Sequence, residues 1–186
     1  MQPDPLVLIA DDDPTLRLLA SSTLGSAHFR IALASDGKQA LELFDRERPD
    51  LVLLDVDMPG MSGFHVCRSM RERPEASNVP IVMMTGRDDV TAINAAYDSG
   101  ATDFLAKPMQ WALLPHRARY VLRGARASEE LREAQARNIA ILDAIPDMIF
   151  TLDGDGVYID CRAGIHDVSV LYSEQPIGRN VSELRD

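Results

Sequence analysis

The chain has 186 residues, enough for one full hydrophobic core and something smaller beside it. A formal charge of −10 excludes a non-specific nucleic-acid binder, which needs a basic surface, and no apolar run is long enough to cross a membrane. The opening MQPDPLVLIADDD has no basic region and only five consecutive apolar residues, so it does not read as a signal peptide; Cys67 and Cys161 stand apart from any metal or redox spacing, and the expectation is a cytoplasmic protein with two reduced thiols.

In chain order, LVLIA (6–10) is a short apolar run and PTLRLLASSTLG (14–25) has helical spacing, with Pro14 suited to a first turn and Gly25 to an exit. RIALA (30–34) predicts a second strand and GKQALELFDRERP (37–49) an amphipathic helix closed by Pro49. LVLL (51–54), IVMM (81–84) and DFLA (103–106) predict strands, with helices expected over 63–72 and 89–100. Five strands alternating with helices mean right-handed crossovers around a doubly wound parallel sheet, an α/β fold.

The pattern then changes. From about 113 to 145 there is no strand signal, and Leu131, Ala134, Asn138, Ile141 and Ile145 follow the four- and three-residue steps of coiled-coil a and d positions, with Gly124 and Ala127 extending them weakly backward. Asn138 at an a position would fix register and strand number. The alternative is a helix packed on its own domain. Pro115 leaves the start of this helix open, either inside its first turn or as a kink after Trp111. After Pro146, MIFTLDGDGVYID (148–160) reads as a hairpin, and IGRNVSELRD as the start of a short helix. A hairpin with one helix cannot bury a core of its own, so this segment is expected to dock on something or to continue past residue 186. DGDG (153–156) is not a calcium loop, because Val157 and Tyr158 stand where such a loop needs a ligand and a glycine.

The chemistry is expected where the strands end, since ligands of open parallel sheets bind at that edge. Asp11, Asp12 and Asp13 follow the first strand, Asp55 and Asp57 the third, Thr85 and Gly86 the fourth, and Lys107-Pro108 the fifth. Asp11, Asp12 and Asp55 cannot lie together unneutralised, because like charges raise one another's pKa, and a hard cation such as Mg2+ removes the conflict. Lys107 brings a positive charge to the opposite side and Thr85 a hydroxyl for a phosphate oxygen, while Gly86 keeps the approach open. The result is a site for a metal and a phosphoryl group beside a nucleophilic carboxylate. Asp13, before Pro14, reads only as a helix cap. His28, His65, His116 and His166 have no constellation around them.

LIADDD, LLDVDMPGMSG, IVMMTG and DFLAKP, in this order and spacing, resemble the receiver domain of two-component response regulators over residues 4 to about 124. The resemblance implies a five-stranded parallel sheet in order 2-1-3-4-5. It implies that Asp55 accepts a phosphoryl group from a phosphohistidine on a sensor histidine kinase or histidine phosphotransfer protein. It also implies Mg2+ held by Asp12 directly, by Asp11 through water, by Asp55 and by the backbone carbonyl of Asp57, whose side chain would face outward. Thr85 and Lys107 would hold phosphoryl oxygens, and Phe104 takes the place of a switch aromatic, without a ring hydroxyl. The Lys107–Pro108 bond is cis in most of the family.

LLDVDMPG also resembles the Asp-x-Asp motif of haloacid-dehalogenase-type phosphatases, with Asp57 as general acid. Against this stand Pro59, where that family wants Thr or Val, and the acidic pair at 11 and 12 rather than downstream of the lysine. From about residue 140 the chain resembles the opening of a PAS sensor domain. The expected organisation is therefore a receiver over 1–124, a signalling helix over 125–145 and a partial PAS-like segment over 146–186. Homodimers are expected through that helix and through the face of the fourth helix, fifth strand and fifth helix. A module that only docks on partners, without enzymatic output, is the remaining alternative.

Overall fold

The computed structural model describes residues 3–73, 78–86, 90–143, 149–162 and 177–181. The chain divides into two compact units, Met1–Glu129 and Glu130–Asp186. In the first, strands β1 (Leu6–Ala10), β2 (Arg30–Ala34), β3 (Leu51–Asp55), β4 (Ile81–Thr85) and β5 (Asp103–Ala106) alternate with helices α1 (Pro14–Gly25), α2 (Gly37–Glu47), α3 (Gly63–Arg71) and α4 (Val90–Asp98). The strands pair in parallel in the order β2-β1-β3-β4-β5, as expected.

Every residue of β1, β3 and β4 is buried, because helices cover both faces of the sheet. On one face Leu8, Val52, Leu54 and Met83 pack with Phe44 of α2, Val66 and Met70 of α3 and Ala96 of α4. On the other, Val7, Ile9, Leu53 and Met84 pack with Ala20 and Leu24 of α1 and with the helix that follows β5. Each large side chain buried in this way contributes about 1.5–3 kcal/mol relative to exposure. Asp13 caps α1 by accepting from the Thr15 and Leu16 amides, and Asp36 caps α2 through the Gln39 amide. The second helix stops at Glu47, earlier than Pro49 suggested, because Arg48 turns left-handed with φ 49°. The half-buried Arg71 joins three segments, donating to the carbonyls of Gly100 (2.8 Å) and Val79 (2.7 Å) and to the Thr102 hydroxyl (3.3 Å).

A single 3-10 turn, Trp111–Leu113, leads into α5 (Leu114–Asp143), so Pro115 lies in the first helical turn and does not kink the helix. Leu114, Ala118, Val121 and Leu122 of α5 are buried against the sheet. Arg119 fastens this half to the turn after α1: it donates to the Ala27 carbonyl (2.9 Å), and its guanidinium lies 5.6 Å from the centre of the Phe29 ring. Leu131, Ala134, Asn138 and Ile141 are all exposed, and Ile145 lies outside the described residues.

In the second unit, β6 (Ile149–Leu152) and β7 (Tyr158–Arg162) form an antiparallel hairpin. The Asp153 carboxylate accepts from the Asp155 and Val157 amides, so this acid is engaged in holding its own turn. Residues 177–181 add a bridge between Val157 and Asn180. The rest of the PAS-like stretch, 146–148, 163–176 and 182–186, lies outside the described residues, and His166 with it. No helix among the described residues is long and apolar enough to cross a membrane.

Candidate functional site

The parallel register brings the strand ends to one edge. Asp55 is the last residue of β3, still paired with Met84, and Thr85 is the last of β4, paired with Ala106. Both strands thus run one residue beyond their apolar stretches. Asp11 and Asp12 follow β1 directly. Carboxylate oxygens of Asp11, Asp12 and Asp55 lie within 4.8 Å of one another. Asp11 and Asp55 are buried, at 1% and 4% exposure, whereas Asp12 is exposed.

Lys107 does not stand across from the acids. Its Nζ lies between two of them, 2.8 Å from Asp11 Oδ2 and 2.9 Å from Asp55 Oδ1. Burial pushes the Asp55 carboxyl above its ordinary value, Lys107 pulls it down, and Asp11 and Asp12 add to the upward push. For Lys107, burial alone would lower the ammonium, but its bonds to Asp11 and Asp55 prevail and raise it. The lysine is thereby held charged and the Asp55 carboxylate has its compensating cation. The Lys107 amide donates to the Thr85 carbonyl at 2.7 Å, tying the ends of β4 and β5, and the Lys107–Pro108 bond is cis.

Thr85 is buried at 2% exposure at the end of β4. Asp57 is exposed and outside the cluster. Phe104 is half-buried on β5, its ring edge-on to half-exposed Tyr97 with centroids 6.2 Å apart. A Cβ at Gly86 would meet nothing within 4 Å. His28, His65 and His116 are exposed and none joins the acidic edge; His65 pairs with Ser62.

Two residues of this edge were not singled out from the sequence. Gly63, the first residue of α3, donates its amide to the Val56 carbonyl, and a Cβ there would lie 2.1 Å from the Asp55 carbonyl oxygen. Only glycine lets the helix approach the strand so closely. Arg17, on α1, donates from Nη1 to the Asp11 carbonyl at 2.5 Å. Neither has a local signal in the sequence, because each depends on how two segments meet.

Three converging carboxylates are hard oxygen donors whose mutual repulsion a divalent cation relieves, so the residues present fit Mg2+. The described residues offer a nucleophilic carboxylate, an ammonium and a hydroxyl-bearing strand end at one edge, the groups that phosphoryl transfer requires.

The response regulator receiver domain family matches residues 7–119. Response regulator PleD of Caulobacter vibrioides is 34% identical over 157 residues, covering 83% of this chain and 34% of that protein. Transcriptional regulatory protein AfsQ1 of Streptomyces coelicolor is 38% identical over 127 residues, covering 68% of this chain and 55% of its own length. The chain therefore spans about a third to a half of these relatives. Among solved structures, a putative response regulator from Chloroflexus aurantiacus superimposes with a TM-score of 0.62 at 32% identity, covering 64% of this chain and 98% of that one. Vibrio cholerae chemotaxis protein CheY4 does so with a TM-score of 0.61 at 30% identity, covering 63% and 98%.

Proposed function

Because the chain belongs to the response regulator receiver domain family, we propose that Asp55 is its phosphoacceptor, taking a phosphoryl group from a phosphohistidine. The receiver fold with its acidic cluster is that of a self-catalysing phosphoacceptor, and such a domain implies a histidine kinase or histidine phosphotransfer partner. The observation that carries the residue assignment is a buried Asp55 carboxylate 2.9 Å from the Lys107 ammonium and within reach of two further acids.

In this reading an Asp55 carboxylate oxygen attacks phosphorus. A P–O bond forms, the donor's P–N bond breaks, and its electron pair returns to the imidazole, which then takes a proton from solvent. Lys107 and the Thr85 hydroxyl hold the phosphoryl oxygens as charge accumulates on them. Mg2+, held by Asp12, Asp55, the Asp57 carbonyl and, through water, Asp11, would offset the charge of the incoming phosphoryl group. The exposed Asp57 side chain takes no part, which removes the general acid that a haloacid-dehalogenase-type hydrolase would use. The experiment is acetyl-phosphate labelling of Asp55→Asn. Complete loss of acid-stable, base-labile phosphate is expected, and persistent labelling would place the acceptor elsewhere.

The downstream reading follows from α5. Phosphorylation adds charge and acceptor oxygens at Asp55, drawing Thr85 and Lys107 toward it. Phe104 and the face of α4, β5 and α5 respond, and an equilibrium between two dimer geometries shifts. That face carries an open groove lined by Asp103, Arg117, Tyr120 and Arg123, and the exposed Leu131, Ala134, Asn138 and Ile141 supply a seam for a second copy. The organisation proposed is a receiver over 1–124, a signalling helix over 125–145 and a PAS-like segment over 146–186 that passes the state to an output. A beryllofluoride phosphoryl mimic should change the small-angle scattering profile at confirmed occupancy. Identical profiles would overturn the coupling but not the phosphoacceptor.

A further inference from the structure

We propose that Arg17 is a positioning residue for metal binding: by holding the Asp11 carbonyl it fixes the peptide that aims the Asp12 carboxylate. The inference rests on the phosphoacceptor reading above and concerns a residue which that reading does not use.

All four polar atoms of Asp11 are engaged. Its amide donates to the Ala34 carbonyl on β2 (3.3 Å), Oδ1 accepts from the Asp13 amide (2.9 Å), Oδ2 accepts from Lys107 (2.8 Å) and its carbonyl accepts from Arg17 (2.5 Å). Asp12 differs. It is exposed, and its carboxylate has no hydrogen-bond partner among the described residues. Both its oxygens can go to a cation without first losing a bond, whereas both of Asp11's are engaged.

What aims Asp12 is the chain leading into it. The Asp11 carbonyl belongs to the planar peptide unit that joins Asp11 to Asp12, so fixing that oxygen fixes the Asp12 amide and the direction of its Cα. The bond that fixes it comes from the half-buried Arg17 side chain, a little more than one turn into α1. Three carboxylates within 4.8 Å repel one another and drive the turn to open. A guanidinium fork anchored on a capped helix resists that opening better than a flexible ammonium would.

The test measures Mg2+ affinity by calorimetry on the full chain, and separately the acetyl-phosphate labelling rate as Mg2+ is varied. Arg17→Met, which keeps the stem and removes the donors, should raise the Mg2+ Kd about tenfold. Its labelling rate at saturating Mg2+ should return to within about twofold of wild type. Arg17→Lys should recover part of the affinity. Arg73→Gln, which removes an exposed pair with Asp45 far along the chain, should lower the melting temperature and leave the Kd unchanged. An Arg17→Met chain with unchanged Kd and only a lower melting temperature overturns the inference, as does a rate loss that saturating Mg2+ does not restore. If Arg17→Met does not fold, Arg17→Gln carries the same measurement. A wild-type chain that binds no Mg2+, or labelling that survives Asp55→Asn, would instead remove the reading beneath it.

Discussion

The two halves of α5 are one continuous helix made in two ways. Its first turns bury Leu114, Ala118, Val121 and Leu122 against the sheet, and Arg119 pins them to the turn after α1. Its later turns leave Leu131, Ile139 and Ile141 at 60%, 51% and 56% exposure. Tertiary packing holds the first half; the second has propensity and whatever comes to cover it. The same helix thus carries one stretch buried against the sheet and one that solvent reaches.

The largest effect expected is on the buried half. Leu114→Ala should cost about 2–5 kcal/mol in urea unfolding followed by Trp111 fluorescence. Leu131→Ala in dilute solution should stay within about 0.5 kcal/mol of wild type. An equal loss at both positions would mean that the second half is covered within its own chain, and the contrast would be gone. At high concentration the order should reverse for association: Leu131→Ala should weaken any dimer seen by sedimentation, and Leu114→Ala should not act on it directly.

A second probe sharpens the contrast from inside the core. Cys67 is fully buried, and burial pushes its thiol above the ordinary value. In a Cys161→Ser background it should resist a disulfide reagent at neutral pH and react only as fast as the chain unfolds. Rapid labelling would show that the α3 side of the sheet opens more readily than its packing implies. The smallest effect concerns α1. The Thr15 amide holds the Asp13 carboxyl below its ordinary 3.8. A depressed acid stabilises the fold above its unfolded value and loses that contribution as pH falls through the folded one. Asp13→Ala should therefore melt slightly below wild type at neutral pH, and the gap should close on acidification below about pH 4.

The sheet was legible because its signals are local. β1, α1 and β2 fall on the residues that apolar runs, Pro14 and Gly25 mark. The acidic edge was legible too, since a strand that ends on Asp55 or a lysine placed before a proline can be read in sequence order. What could not be read is how separate ends meet. Lys107 reaches Asp11 across 96 positions, and Asp50 accepts from the Leu6 amide across 44. An apolar pattern fixes which strands are buried but not which of two acids a lysine will choose, and here it bonds to both. For the same reason Arg17 and Gly63, which fall within the predicted helices 14–25 and 63–72, carry no mark in the sequence of the contacts they make at this edge.

Gly63 has a practical consequence for anyone who would rebuild this protein as a sensor. Its contact with the Asp55 carbonyl makes the segment between β3 and α3 a spacer whose length is already taken up. A fluorophore or peptide spliced between Asp57 and Ser62 would act as a wedge at the strand end and report on its own intrusion. The turn at Asp153–Gly156 is no freer a port, because Asn180 donates to the Asp155 carbonyl (2.7 Å) and the Val181 amide to the Gly156 carbonyl (2.9 Å).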